Sequence, residues 1–293
     1  MNVETVGMIF IFIEVFAAGF QPVFTKLAVE TINPIFAASI ASLIGCIIPL
    51  VILIRNRNLK LIIDRKNIKN ILLIGLFGTT ITYLLFFFGA QLTSGINTAI
   101  LMQSEPIYAI FLGYLILKEK ISPKQILSTF LIILGIIAVI YNGSFSFNLG
   151  DFLILITPLF YQISHVIAKR TMKKIGTYAV QAGRYLFAGL TLFLISSLFN
   201  MNQFSILTNP LNLTTILILG FIVAGIGTLA YYEGIRRINL SKAQAILAPY
   251  SVVSVILAWF ILKEVPTVYQ IVGLVIILIG IFSLVKMRSE KRS

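Results

Sequence analysis

Ile116-Leu117-Lys118-Glu119 recurs 145 residues later as Ile261-Leu262-Lys263-Glu264, and the relation between these two tetrapeptides decides the fold. Sliding the chain on itself by that offset aligns Gly89–Ile140 with Gly234–Val285 without a gap, and 11 of the 52 positions are identical. Some matches are expected by chance in an Ile- and Leu-rich chain. The matches here are clustered, however, since Gln125-Ile126 falls over Gln270-Ile271 and Gly135-Ile136 over Gly280-Ile281. Such clustering marks an internal repeat.

Outward from the tetrapeptides the chain is almost continuously apolar. Of its 293 residues 58% are hydrophobic and 11% charged, and the mean hydropathy is +1.00. That leaves too little polar surface to cover a water-soluble globule. A bilayer core takes roughly 20 apolar residues per helix. Apolar runs between polar breaks predict helices at about 6–28, 33–54, 71–91, 96–117, 124–141, 149–168, 177–199, 213–233, 241–262 and 266–285. The first run has no basic leader and no small-residue cleavage site, and is expected to stay in the protein.

The net charge of +13 would point to nucleic acid in a soluble protein. Here the basic residues follow the membrane topology. The loops after the second, fourth, sixth and eighth predicted helices, with the carboxyl-terminal tail, hold 20 of the 23 Lys and Arg. The opposite side has Lys26 and Lys263, and Arg184 falls in the seventh helix. By the positive-inside rule both termini face the cytoplasm, and no nucleic-acid partner is expected. Cys46 is the single cysteine and His165 the single histidine. Neither a disulfide framework nor a metal site is expected, and no cofactor is implied.

The expected fold is therefore an all-α integral membrane protein of ten transmembrane helices in two five-helix repeats, 1–143 and 144–293. An odd number of spans per half inverts the second half relative to the first. Inverted repeats are an architecture by which secondary transporters build two exchangeable states around a site near the midplane.

The chain resembles the EamA-type branch of the drug/metabolite transporter (DMT) superfamily along essentially its whole length. The resemblance rests on Lys26 late in the first helix, on Glu105-Pro106 followed by Gly113-Tyr114-Leu115-Ile116-Leu117-Lys118-Glu119, on Gly150-Asp151 opening the second half, and on Ala258-Trp259-Phe260-Ile261-Leu262-Lys263-Glu264. It implies a ten-helix carrier of amino acids or other small metabolites, with the first, third, fourth, sixth, eighth and ninth helices around a central cavity. The chain departs from the family pattern where Pro249-Tyr250 replaces a second Glu-Pro, and where Ala17-Ala18-Gly19 follows Glu14 in place of Trp-Gly. Glu14-Val15 is also similar to the membrane-embedded glutamate motif of small multidrug-resistance proteins.

Helix breaks are expected at Pro22, Pro106, Pro158 and Pro249, which fall in the first and fourth helices of each half. Paired interruptions of this kind point to a transporter's site, although packing kinks give the same pattern. Glu14, Ala18, Gln21 and Thr25 form a small-and-polar stripe on the first helix that cannot face lipid. An acid in that setting must be neutral, paired or wet, and Glu14 and Glu105 are the candidates for proton coupling. Tyr161, Gln162 and His165 on the sixth helix, Tyr83 on the third, Tyr231 on the eighth, and Gln244 and Tyr250 on the ninth complete the candidate substrate site with Glu14, Gln21 and Glu105. Each has a plainer role available as a packing or hydrogen-bonding residue. Lys26 and Arg184 are expected to snorkel to headgroups or to pair with carboxylates. Lys118-Glu119 and Lys263-Glu264 are expected to end helices at the interface, and the nearly polar-free fifth and tenth helices belong at the periphery or at a dimer contact.

The function expected is secondary active transport of a small metabolite such as an amino acid by alternating access. Export across a prokaryotic plasma membrane, with proton coupling as an option, is the preferred form; a multidrug or nucleotide-sugar carrier is the alternative within the superfamily. An intramembrane enzyme would need a dyad, metal cluster or phosphate loop that the sequence lacks. A sensor gives no reason for inverted halves, and whether the chain is a monomer or homodimer stays open.

Overall fold

The computed structural model describes residues 2–117 and 121–290; the Lys118-Glu119 pair lies outside them. Every regular element among the described residues is helical. In chain order the helical rods are α1 Val3–Val29, α2 Pro34–Arg55, α3 Ile68–Leu92, α4 residues 95–117, α5 Pro123–Tyr141, α6 Leu149–Ile175, α7 Thr177–Leu198, α8 Pro210–Arg237, α9 residues 240–262 and α10 Val268–Glu290. Seven, α1, α2, α3, α6, α7, α8 and Lys242–Leu262 of α9, are long and apolar enough to cross a bilayer. Gln125–Tyr141 and Val268–Ser283 are shorter apolar helices.

Local chemistry sets the starts and stops. Asn2 caps α1 by accepting from Thr5 N, and Asn33 with Pro34 behind it starts α2. Ser122 and Gln125 form a capping box at the head of α5, and Asn148 and Asp151 form one at the head of α6. The α6–α7 junction is a single residue, Gly176, at φ +81°, where a side chain would be strained. The rods carry their apolar residues outward: Ile9, Phe12, Ile13 and Phe16 of α1 are exposed, while Asp151, Gln162, Gln181 and Arg184 are buried. That inside-out distribution belongs to a protein solvated by lipid.

The contacts of one half recur in the other with the partners exchanged. A Cβ on Gly89 in α3 would lie 2.7 Å from Ile154 Cδ1 and 3.2 Å from the Gly150 carbonyl oxygen in α6. At the equivalent Gly234 in α8, a Cβ would lie 2.6 Å from Ile11 Cγ1 and 3.2 Å from the Gly7 oxygen in α1. Gly75 meets the Arg184 carbonyl of α7 at 3.2 Å, and Gly220, 145 residues on, meets the Ala41 carbonyl of α2 at 3.2 Å. Helices α5 and α10 pack chiefly on each other: Gly135 meets Gly273 and Ile277, while its counterpart Gly280 meets Ser128 and Ile132. Close approach at small residues substitutes in lipid for the hydrophobic drive available in water.

The irregular stretches also correspond. Six residues of α3, Leu76–Ile81, and ten of α8, Ile218–Gly227, are π-helical, and the equivalent of the first lies inside the second. Behind each, a threonine hydroxyl reaches back five residues: Thr82 to the Phe77 oxygen at 3.3 Å and Thr228 to the Val223 oxygen at 3.5 Å. Helix α4 tightens to a 3₁₀ turn at Met102–Ser104, just ahead of Pro106, and α9 is interrupted between Leu247 and Tyr250, at Pro249.

Pro22 and Pro158 do not break their helices. α1 and α6 run through them as continuous α-helix. The neighbouring rods compensate for the weakened turn. Ser254 Oγ donates to the Gly19 oxygen at 2.8 Å, three residues before Pro22, and Tyr108 Oη donates to the Leu155 oxygen at 2.8 Å, three residues before Pro158.

Candidate functional site

A small cavity of about 70 Å³ lies beside the interruptions of α4, α8 and α9, where Met102, Val223 and Leu247 line it. At roughly 10–15 Å³ per water, that is room for about five to seven waters. Nine of the ten residues expected at a substrate site line it: Glu14 and Gln21 of α1, Tyr83 of α3, Glu105 of α4, Tyr161 and His165 of α6, Tyr231 of α8, and Gln244 and Tyr250 of α9. The tenth, Gln162, stands behind the wall and donates to Glu105.

Glu105 organises one end. Its Oε1 accepts from Gln162 Nε2 at 2.6 Å and Gln244 Nε2 at 2.5 Å, and lies 3.6 Å from His165 Nδ1. The network continues through Tyr231, whose hydroxyl lies 3.2 Å from His165 Nδ1 and accepts from Gln244 Nε2 at 3.0 Å. Tyr161 stacks on His165 with ring centroids 5.7 Å apart, and its hydroxyl accepts from Gln21 Nε2 at 3.4 Å. Residues from both halves thus share one hydrogen-bonded chain, which fixes their rotamers.

Glu14 is differently placed. Its Oε2 is buried without a hydrogen-bond partner and lies against Gly227, in the π-helical stretch of α8. Thr25, on the same stripe of α1, is fully buried, away from the cavity lining.

Arg184 corrects an expectation. It does not snorkel: it is 2% exposed, lines the cavity, and lies seven residues into α7, about 10 Å at 1.5 Å per residue. Its Nε donates to Thr79 Oγ1 at 2.7 Å, Nη1 to the Tyr232 hydroxyl at 2.8 Å, and Nη2 to the Gly78 carbonyl. The first and last of these acceptors belong to the π-helical stretch of α3, where a widened turn frees backbone oxygen. The rings of Tyr161, Tyr185 and Tyr232 surround its guanidinium at 5.0–5.8 Å. Tyr185, also in the wall, bonds Tyr83 and Thr228 through its hydroxyl at 3.4 and 2.7 Å.

The charges near the helix ends divide. Lys263 terminates α9 in a left-handed conformation, φ +58°, as a helix-ending residue does. Glu264 turns away from that end and caps α4, accepting from Gly95 N and Ile96 N at 2.9 Å each. Lys26 donates to the Gln91 carbonyl at 3.3 Å beside a second, wider recess of about 620 Å³ that Asn97, Asn148 and Glu264 also border.

The EamA-like transporter family matches this chain twice, over residues 5–141 and again over 148–286. The chain belongs to the EamA-like transporter family. This EamA-like protein is 26% identical over 265 residues to an uncharacterized transporter, YyaM, of Bacillus subtilis (strain 168), covering 88% of this chain and 86% of that one. It is 24% identical over 298 residues to an uncharacterized transporter of Clostridium kluyveri, covering 98% and 94% respectively. A solved crystal structure has the same fold, with a TM-score of 0.74 at 15% identity, over 99% of this chain and 100% of that one. The EamA-like chain is thus a multi-pass membrane protein of two repeats whose relatives are transporters.

Proposed function

We propose that the protein is a secondary carrier that moves a small metabolite such as an amino acid across a prokaryotic plasma membrane by alternating access. The observation that carries this reading is the cavity itself. It holds about 70 Å³, is lined by polar and apolar side chains of both repeats, and sits beside the places where α4, α8 and α9 depart from regular helix. Irregular backbone inside lipid is tolerated where it lines a wet site.

In this reading ten spans form two five-helix repeats, 1–143 and 144–293, inverted in the membrane with both termini cytoplasmic. The exchanged contacts of Gly89 and Gly234, and of Gly135 and Gly280, support it, because a two-fold relation between halves produces such exchange. The loop charges support the orientation, and export is the direction to test first. Glu14 is the proton carrier: Glu105 already holds two amide donors, whereas Glu14 Oε2 holds none. Glu14, Gln21, Tyr83, Tyr161, His165, Tyr231, Gln244 and Tyr250 face the solute, with Gln162 setting the Glu105 carboxylate.

The test is counterflow in proteoliposomes loaded with one metabolite at a time and given a labelled trace outside. A carrier accumulates label transiently and saturably. Linear, non-saturating entry would mean a channel, and no entry with any of the common amino acids, nucleosides or sugars would oppose the transport reading.

A further inference from the structure

We infer that Arg184 is the carboxylate-recognition residue of the central cavity, and that the solute it selects is a small organic acid or zwitterion whose carboxylate docks on the guanidinium. The inference rests on the carrier reading of that cavity. Among the described residues no carboxylate lies within 4.0 Å of Arg184. Its three acceptors, Thr79 Oγ1, the Tyr232 hydroxyl and the Gly78 carbonyl, are all uncharged. A guanidinium has five N–H groups in a rigid fork, so two remain for another acceptor.

Taking a cation out of water costs several kcal/mol even after relaxation, and neutral partners recover only part of it. An intramembrane cation with no carboxylate in contact, on the wall of a cavity, is placed for an anion that comes and goes. The surroundings fit that role. The rings of Tyr161, Tyr185 and Tyr232 surround the guanidinium, and Thr79 and Gly78 accept from Nε and Nη2, which leaves little rotamer freedom to lose on binding. Planar carboxylate matches the fork in a bidentate pair, which a neutral amide cannot reproduce.

The same wall carries the complementary charge. Glu14 and Glu105 line the cavity with Arg184, and Glu14 Oε2 has no donor. A solute with an ammonium group beside its carboxylate would satisfy both ends, and a simple monocarboxylate only one. Preference for the zwitterion follows from the two-ended arrangement, whereas dependence on the carboxylate follows from Arg184 alone.

The experiment is a thermal-shift titration of the purified, detergent-solubilised full chain with the twenty common L-amino acids, lactate and pyruvate, each against its carboxamide. A ligand that prefers the folded state raises Tm by mass action. The expected result is that at least one acid raises Tm and that its amide needs at least tenfold more to do the same. R184K retains charge without the fork and should weaken the acid at least tenfold; R184Q should erase the difference between acid and amide. Y232F removes one partner but keeps the guanidinium, and should preserve the preference. If R184Q does not fold, the wild-type, R184K and Y232F titrations decide. Amides equal to acids in the wild type, R184K binding the acid as well as wild type, or no acid in the panel shifting Tm would each overturn the assignment. Counterflow on the same solutes separates the two claims. Saturable flux that the amide inhibits as well as the acid removes the role of Arg184 and leaves the carrier. Carboxylate-dependent binding with no flux does the reverse.

Discussion

Gln103 Nε2 donates to the Ala248 carbonyl at 2.7 Å, and the two positions stand 145 residues apart, the offset at which the repeats align. Equivalent positions touch each other only close to the element that relates them. Here they touch where α4 tightens and α9 is interrupted, beside the cavity. One hydrogen bond therefore joins the two breaks beside the cavity.

Removing that bond leaves the Ala248 carbonyl with the Ser251 hydroxyl and amide as its donors, a loss of about 0.5–1.5 kcal/mol. Gln103→Leu is accordingly expected to lower the unfolding temperature in detergent by several degrees. An unchanged Tm would show that the bond between equivalent positions is dispensable.

The α5–α10 pair should respond symmetrically. A Cβ on Gly135 would lie 2.6 Å from the Gly273 oxygen, and one on Gly280 would lie 3.0 Å from the Ser128 oxygen. Gly135→Leu and Gly280→Leu are each expected to destabilise by about 1–3 kcal/mol, as overpacking does. Because this pair contributes no residue to the cavity lining, solute affinity in the folded fraction should stay unchanged, which a binding titration at low temperature measures.

Glu264 holds the start of α4 by two backbone N–H groups. Glu264→Ala removes a charged cap, about 1 kcal/mol. A cysteine at Asn97, in a Cys46→Ser background, should then react faster with a maleimide than in the capped protein. Equal rates would show that the cap does not hold this end closed.

Glu14→Gln is expected to abolish pH-gradient-driven flux while solute exchange persists at a higher solute concentration, since exchange needs no net proton movement. Glu105→Gln should instead weaken solute binding, because the carboxylate orients Gln162 and Gln244. Gradient-driven flux that survives in the Glu14 variant would remove the proton role.

Much of the site was legible because polar residues stand out in greasy helices. Glu14 and Gln21 share a stripe at helical spacing, Tyr161 and His165 share another, and all four reach one cavity. The paired prolines pointed to α4 and α9, where Pro106 and Pro249 do stand beside irregular turns. Arg184 was misjudged because distance from a helix end, counted along the sequence, does not show whether a long side chain rises to the headgroups or is held by the next helix. Two of its three acceptors lie in α3, more than a hundred residues away, in a π-helical stretch whose composition gives no sign of a widened turn. Pro22 and Pro158 were overread for a related reason. A proline removes one hydrogen bond, and whether the helix breaks depends on tertiary partners such as Ser254 and Tyr108.

Access to the cavity from both sides of the membrane tests the account most directly. Ala18 lines the cavity and is nearly buried. In a Cys46→Ser background, Ala18→Cys should react with a membrane-impermeant maleimide added to right-side-out vesicles, and also with the same reagent added to inverted ones. A bound carboxylate-bearing solute should slow both reactions. Reaction from one face only, whatever solutes are present, would contradict a cavity that opens alternately to the two sides.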